Sequence, residues 1–131
     1  MRKQYHFWPG VGGLDAWDVD RLIRLSRGLP TEAVPVDSLA DVDTAYWFLP
    51  GDEPPTVREI VGHLRLVRDA DPSYPVILGG DGRVMDGMHR IARALLDGRT
   101  DIPAVRFPAD PEPDFRNCDP AALPYDDDPQ R

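Results

Sequence analysis

A chain of 131 residues, 41% of them hydrophobic, is long enough for one domain with a real core. Its 23 acidic against 15 basic residues give a net charge of −8, which argues against DNA as a partner, because Lys and Arg on phosphates supply most non-specific affinity for a duplex. The single cysteine, Cys118, excludes an internal disulfide framework and a cysteine-rich zinc site. No apolar run nears the ~20 residues that span a bilayer, and no signal-peptide segment opens the chain, so no membrane partner and a cytoplasmic location are expected.

In chain order, residues 1–13 read as an irregular arm in which Tyr5, His6, Phe7 and Trp8 precede Pro9-Gly10. Such a cluster packs onto the body of the protein, with ligand stacking as the secondary reading. Asp15 is placed to cap a helix running to about Arg27, with Leu14, Trp17, Leu22 and Leu25 near helical spacing. Gly28-Leu29-Pro30 ends it. Residues 34–39 read as a strand.

The next stretch carries Asp41 and Asp43, either solvated loop acids or carboxylates for Mg²⁺ arriving with a nucleotide. Tyr46 and Trp47 suit core or lid packing, or the wall of a ligand pocket. Thr56 with Glu59 three residues on forms a capping box, starting a helix over residues 56–69. Val57, Ile60, Val61, Leu64 and Val67 mark its expected buried stripe. Glu59 serves as the cap or, alternatively, as a general base. His63 is a partly buried, hydrogen-bonded histidine or a ligand-facing one.

Residues 75–107 carry the strongest pattern. Val76-Ile77-Leu78 and Arg83-Val84-Met85 flank Gly79-Gly80-Asp81-Gly82, a hairpin signal, because glycine supplies the positive φ such turns need. Asp86-Gly87 breaks the second strand and opens a helix with apolar Met88, Ile91, Ala92, Leu95 and Leu96. Gly98 suits its left-handed C-terminus, and residues 102–107 read as the next strand. At the helix start, Gly87 leaves room for a ligand, and the N–H groups of Met88, His89 and Arg90 attract anions. His89 and Arg90 add donors suited to phosphate. The alternative is that Asp86 caps the helix while Arg90 makes an ion pair.

After Phe107 six prolines interrupt regular structure, and Asp126-Asp127-Asp128 forms a charge run. Phe115, Leu123 and Tyr125 are candidate anchors. The whole reads as one α/β (α+β) domain over residues 1–131, a small mixed sheet with packed helices. An arm and helix occupy 1–30, the core 34–107, and a Pro/Asp-rich tail 108–131.

The strand–turn–strand, Asp86-Gly87-Met88-His89-Arg90 at a helix start, and the following Ile102-Pro103 strand resemble the ParB/sulfiredoxin superfamily. The likeness is clearest over residues 76–107. It implies a nucleotide cofactor, ATP or CTP with Mg²⁺, whose phosphates lie on Gly87, Met88, His89 and Arg90. Sulfiredoxins place a reactive cysteine where Met88 stands, and a thioether cannot act as that thiolate. The partition proteins add DNA-binding and dimerisation regions after this core, which this acidic chain is expected to lack. What the resemblance leaves is a small nucleotide-dependent phosphotransferase or hydrolase, with Asp86, Asp41, Asp43 or Glu59 as its carboxylate and His63, Tyr46 and Trp47 toward the substrate. The alternative is a non-catalytic binder of a nucleotide or another phosphorylated small molecule, with a protein partner on the arm or the acidic tail. A nucleic-acid module requires the arginines to gather on one face.

Overall fold

The computed structural model describes residues 3–48 and 51–125. The acidic run Asp126-Asp127-Asp128 lies outside the described residues. Strand alternation in the central hairpin sets the plan. In β4 (Val76–Leu78), Val76 and Leu78 face one way and Ile77 the other; in β5 (Val84–Asp86), Val84 and Met85 split likewise. The turn between them closes with Gly79 N–H donating to the Arg83 carbonyl at 2.8 Å, and Gly82 takes φ +86°.

A helix, α3 (Met88–Leu96), follows, and then β6 (Asp101–Arg106), which runs parallel to β4. With β3 (Glu32–Pro35) antiparallel to β6, the sheet has the order β3-β6-β4-β5 and is mixed. Helix α3 ends in a Schellman motif: Arg99 N–H reaches the Ala94 carbonyl, Gly98 N–H reaches Leu95, and Gly98 adopts φ +72°. The expected α+β class with a small mixed sheet is what the chain forms.

Apolar residues cover this sheet on both faces. On one, Val76, Leu78, Val84, Ile102 and Ala104 pack against Met88, Ile91 and Ala94 of α3 and against Val36 and Leu39. On the other, Ile77, Met85, Val105 and Phe107 meet Trp17 and Leu22. Each fully buried Leu, Ile or Val contributes about 1.5–3 kcal/mol by leaving water.

The second face is covered by an unexpected element. The N-terminal stretch is a hairpin, β1 (Tyr5–Gly10) against β2 (Gly13–Asp18), turning at Val11-Gly12 with Gly12 at φ +88°. Asp15 therefore lies in a strand opposite Trp8, and Asp18 caps α1 (Val19–Ser26), accepting the Asp20 N–H at 2.9 Å. The tail also departs from its irregular reading: β7 (Phe115–Cys118) pairs with β2, giving a three-stranded sheet β1-β2-β7. Alternating His6, Trp8 and Pro9 disguise the first strand, and prolines flank the last.

Asp114 accepts the Asp18 N–H at 2.8 Å, and the Trp17 indole donates to the Pro111 carbonyl at 2.8 Å. Arm and tail are thus one structure, formed by the two ends of the chain.

Helix α2 (Val57–Asp69) starts at the expected cap, the Glu59 N–H donating to Thr56 Oγ at 3.2 Å. Its stripe is not buried as expected. Val67 is the one buried residue, while Val57 is 78% and Leu64 58% exposed. Leu95 and Leu96 of α3 are exposed as well. No described element lies over these residues, because the four-stranded sheet is already covered on that side by α3. Among the described residues no helix is long and apolar enough to cross a membrane.

Candidate functional site

The β5–α3 junction carries the motif. Gly87, the N-cap of α3, sits at φ +107° with no side-chain cap. A Cβ there would lie 2.6 Å from Val76 Cγ1 and 2.9 Å from the Arg90 guanidinium. The glycine therefore serves close packing onto β4 and Arg90, where the sequence suggested room for a ligand.

Arg90 is likewise turned inward. One Nη donates to the Pro75 carbonyl and the other to Asp86 Oδ2, each at 2.8 Å. The two side chains are only 21% and 19% exposed. Asp86 is thus occupied by its arginine; burial pushes its pKa up, and Arg90 opposes that. Arg90 does not line the cleft at the helix mouth, whereas Asp86, Gly87, Met88 and His89 do. The N–H groups of Met88, His89 and Arg90 have no hydrogen-bond partner among the described residues.

His89 and His63 come together from α3 and α2. His63 Nδ1 lies 2.8 Å from His89 Nε2, so one nitrogen donates and the other accepts. Trp47 lies flat across both rings, with centroids 4.4 and 4.7 Å away and planes within 17° and 13°. Burial and the adjacent His63 hold His89 down at about 4, and burial also lowers His63. Both imidazoles are therefore neutral at pH 7. The Trp47 Nε1 is buried without a hydrogen-bond partner among the described residues.

The cleft itself measures about 840 Å³. His6, Trp8, Tyr46 and Trp47 give it an aromatic wall. The Tyr46 hydroxyl donates to the Val84 carbonyl at 2.8 Å, and burial, with Asp41 nearby, pushes its pKa up. His6 is held down at about 4 by burial, against the pull of Asp41.

Among the described residues the lysine or arginine that lines the cleft is Arg83, the first residue after the hairpin turn. Its guanidinium lies 3.2 Å over the Trp8 ring and 3.6 Å from Asp41 Oδ1. The side chain is 42% exposed, and the guanidinium makes no hydrogen bond with any described residue.

Of the expected carboxylates, Asp41 and Asp86 line the cleft, and Asp43 and Glu59 do not. Asp41 is buried and accepts the Val84 N–H at 2.8 Å, fixing residues 40–43 onto β5. Asp43 is exposed and outside the cleft. Glu59 stays in its capping box with Thr56, also outside the cleft. Among the described residues no group of three or more His, Cys, Asp or Glu side chains is arranged to hold a metal ion. Asp41 and Asp86 are each already bonded, Asp41 to the Val84 N–H and Asp86 to Arg90.

Sequence reasoning did not single out Arg83, and it gave His6 and Trp8 ligand stacking only as a secondary reading. Period-two alternation places Arg83 on the Met85 face of β5, a signal that becomes useful only once the N-terminal hairpin is known to pack there. No protein-family model, no curated protein and no solved structure matches the chain.

Proposed function

We propose that the protein is a ParB/sulfiredoxin-like domain that binds a nucleotide or a similar phosphorylated small molecule in the cleft at the mouth of α3. The observation that carries this reading is the cleft's pairing of an aromatic wall with anion donors. His6, Trp8, Tyr46 and Trp47 offer faces and edges to a planar ring. The N–H groups of Met88 and His89 and the Arg83 guanidinium offer hydrogen bonds to phosphate oxygens.

Binding without turnover is the form the geometry favours. A phosphotransferase of this type needs a carboxylate free to orient its nucleophile. Of the carboxylates the sequence singled out, Asp86 is tied to Arg90, Asp41 to the Val84 N–H, and Asp43 and Glu59 stand outside the cleft, which leaves Glu53 and Asp52 as the other acids lining it. A sensor or regulatory role follows, with ligand occupancy read by another protein. One observation favours a catalytic reading instead: neutral His89 lines the cleft with His63 bonded behind it, an arrangement able to accept a proton and pass one on.

Equilibrium titration with ATP, CTP, GTP and ADP, with and without Mg²⁺, tests the proposal through fluorescence of Trp8 and Trp47. Saturable binding with no release of phosphate supports a binder. Release at a rate that falls in His89→Gln and His63→Gln supports the catalytic form. No saturable response to any of them removes the functional reading.

A further inference from the structure

Resting on that reading, we infer that the ligand carries one phosphate rather than a chain of three, and that Arg83 receives it in place of the motif arginine. The charge at the cleft points there. Among the described residues Arg83 is the one lysine or arginine lining it, while the carboxylates of Asp41, Asp52, Glu53 and Asp86 line it as well. Asp86 is neutralised by Arg90 at 2.8 Å, and Asp41 faces Arg83 at 3.6 Å. Glu53 adds a further carboxylate at the cleft. A triphosphate would bring about four negative charges to one guanidinium among these acids, on a chain of net charge −8. A monophosphate brings about two, which Arg83 and the two backbone N–H groups can meet.

Arg83 is also prepared for the task. Its guanidinium lies flat on Trp8, so its planar donor fork is held without being consumed, and 3.6 Å from Asp41 is too long for a hydrogen bond. An arriving phosphate takes donors that no described residue occupies, and Asp41 keeps its bond to the Val84 N–H. Arg90 would have to abandon Asp86 and the Pro75 carbonyl to do the same.

The test compares adenosine mono-, di- and triphosphate by calorimetric titration without Mg²⁺, on the wild-type chain and on Arg83→Gln and Arg83→Lys. The expected result is that the monophosphate binds at least as tightly as the triphosphate. Arg83→Gln weakens it about tenfold or more, as loss of a charge-assisted bond does. Arg83→Lys recovers part of the loss, because charge returns without the fork. Unfolding midpoints of the variants should match wild type, which separates lost contact from lost fold. If the triphosphate binds more than tenfold tighter, or Arg83→Gln binds as wild type does, the inference is overturned while phosphate binding in the cleft stands. If none of the three binds wild type, the broader reading of the cleft fails with it.

Discussion

Two arginines flank the start of α3, and they are held in opposite ways. Arg90 is bonded to a carboxylate and to the Pro75 carbonyl, in a setting where both charged side chains are about four-fifths covered. Arg83 lies on an indole in an open cleft and hydrogen-bonds to no described residue. The motif arginine thus ties β5, α3 and the segment before β4 together, and the arginine outside the motif is the one whose donors no described residue takes. A cation bonded to a carboxylate and a carbonyl holds a fold; one preorganised but not hydrogen-bonded is available for recognition.

Stability measurements break or sharpen this contrast. Arg90→Ala leaves Asp86 without its counter-charge and the Pro75 carbonyl without a donor, and is expected to cost about 3 kcal/mol in urea unfolding. Arg83→Ala, measured alongside, is expected to stay within about 0.5 kcal/mol of wild type. Equal losses in the two variants would erase the distinction. Gly87→Ala places a methyl against Val76 at a positive φ, and a loss of about 2 kcal/mol is expected from strain and overpacking together.

The histidines add a pH dependence. In the fold His89 and His6 are held at about 4, against 6.5 when unfolded. Between those values the unfolded chain binds more protons. Their contribution is therefore complete above about pH 6.5 and falls away as pH drops toward 4. A denaturation series over that window should show the decline, and His89→Gln should make it shallower. The smallest effect belongs to α2: Leu64→Gln, on its uncovered stripe, is expected to change stability by less than about 0.5 kcal/mol.

The α2 stripe shows where sequence stops informing. Val57, Ile60, Val61 and Leu64 have the same helical spacing as the buried residues of α3, but a period says which face is apolar and not whether anything covers it. The central hairpin, the Thr56 cap, the Gly98 terminus and the mixed α+β class were legible because turn and cap chemistry is local. The terminal sheet was not, since β2 pairs with β7 about a hundred residues away, Pro9 interrupts β1 and prolines flank β7. The site was legible to the same degree. Asp86-Gly87-Met88-His89-Arg90 stands at the β5–α3 junction the sequence indicated, and His89, Tyr46 and Trp47 line the cleft beside it. The roles of Gly87 and Arg90 depend on Val76, Asp86 and Pro75 packing against them, contacts that no spacing rule supplies.

Heteronuclear NMR of the labelled chain during titration with adenosine monophosphate tests the central claim most directly. Phosphate binding at the mouth of α3 predicts saturable shifts at the backbone N–H of Met88 and His89 and at the Arg83 guanidinium, with the Arg90 guanidinium and β7 little changed. Shifts confined to other surfaces, or none at millimolar ligand, would contradict it.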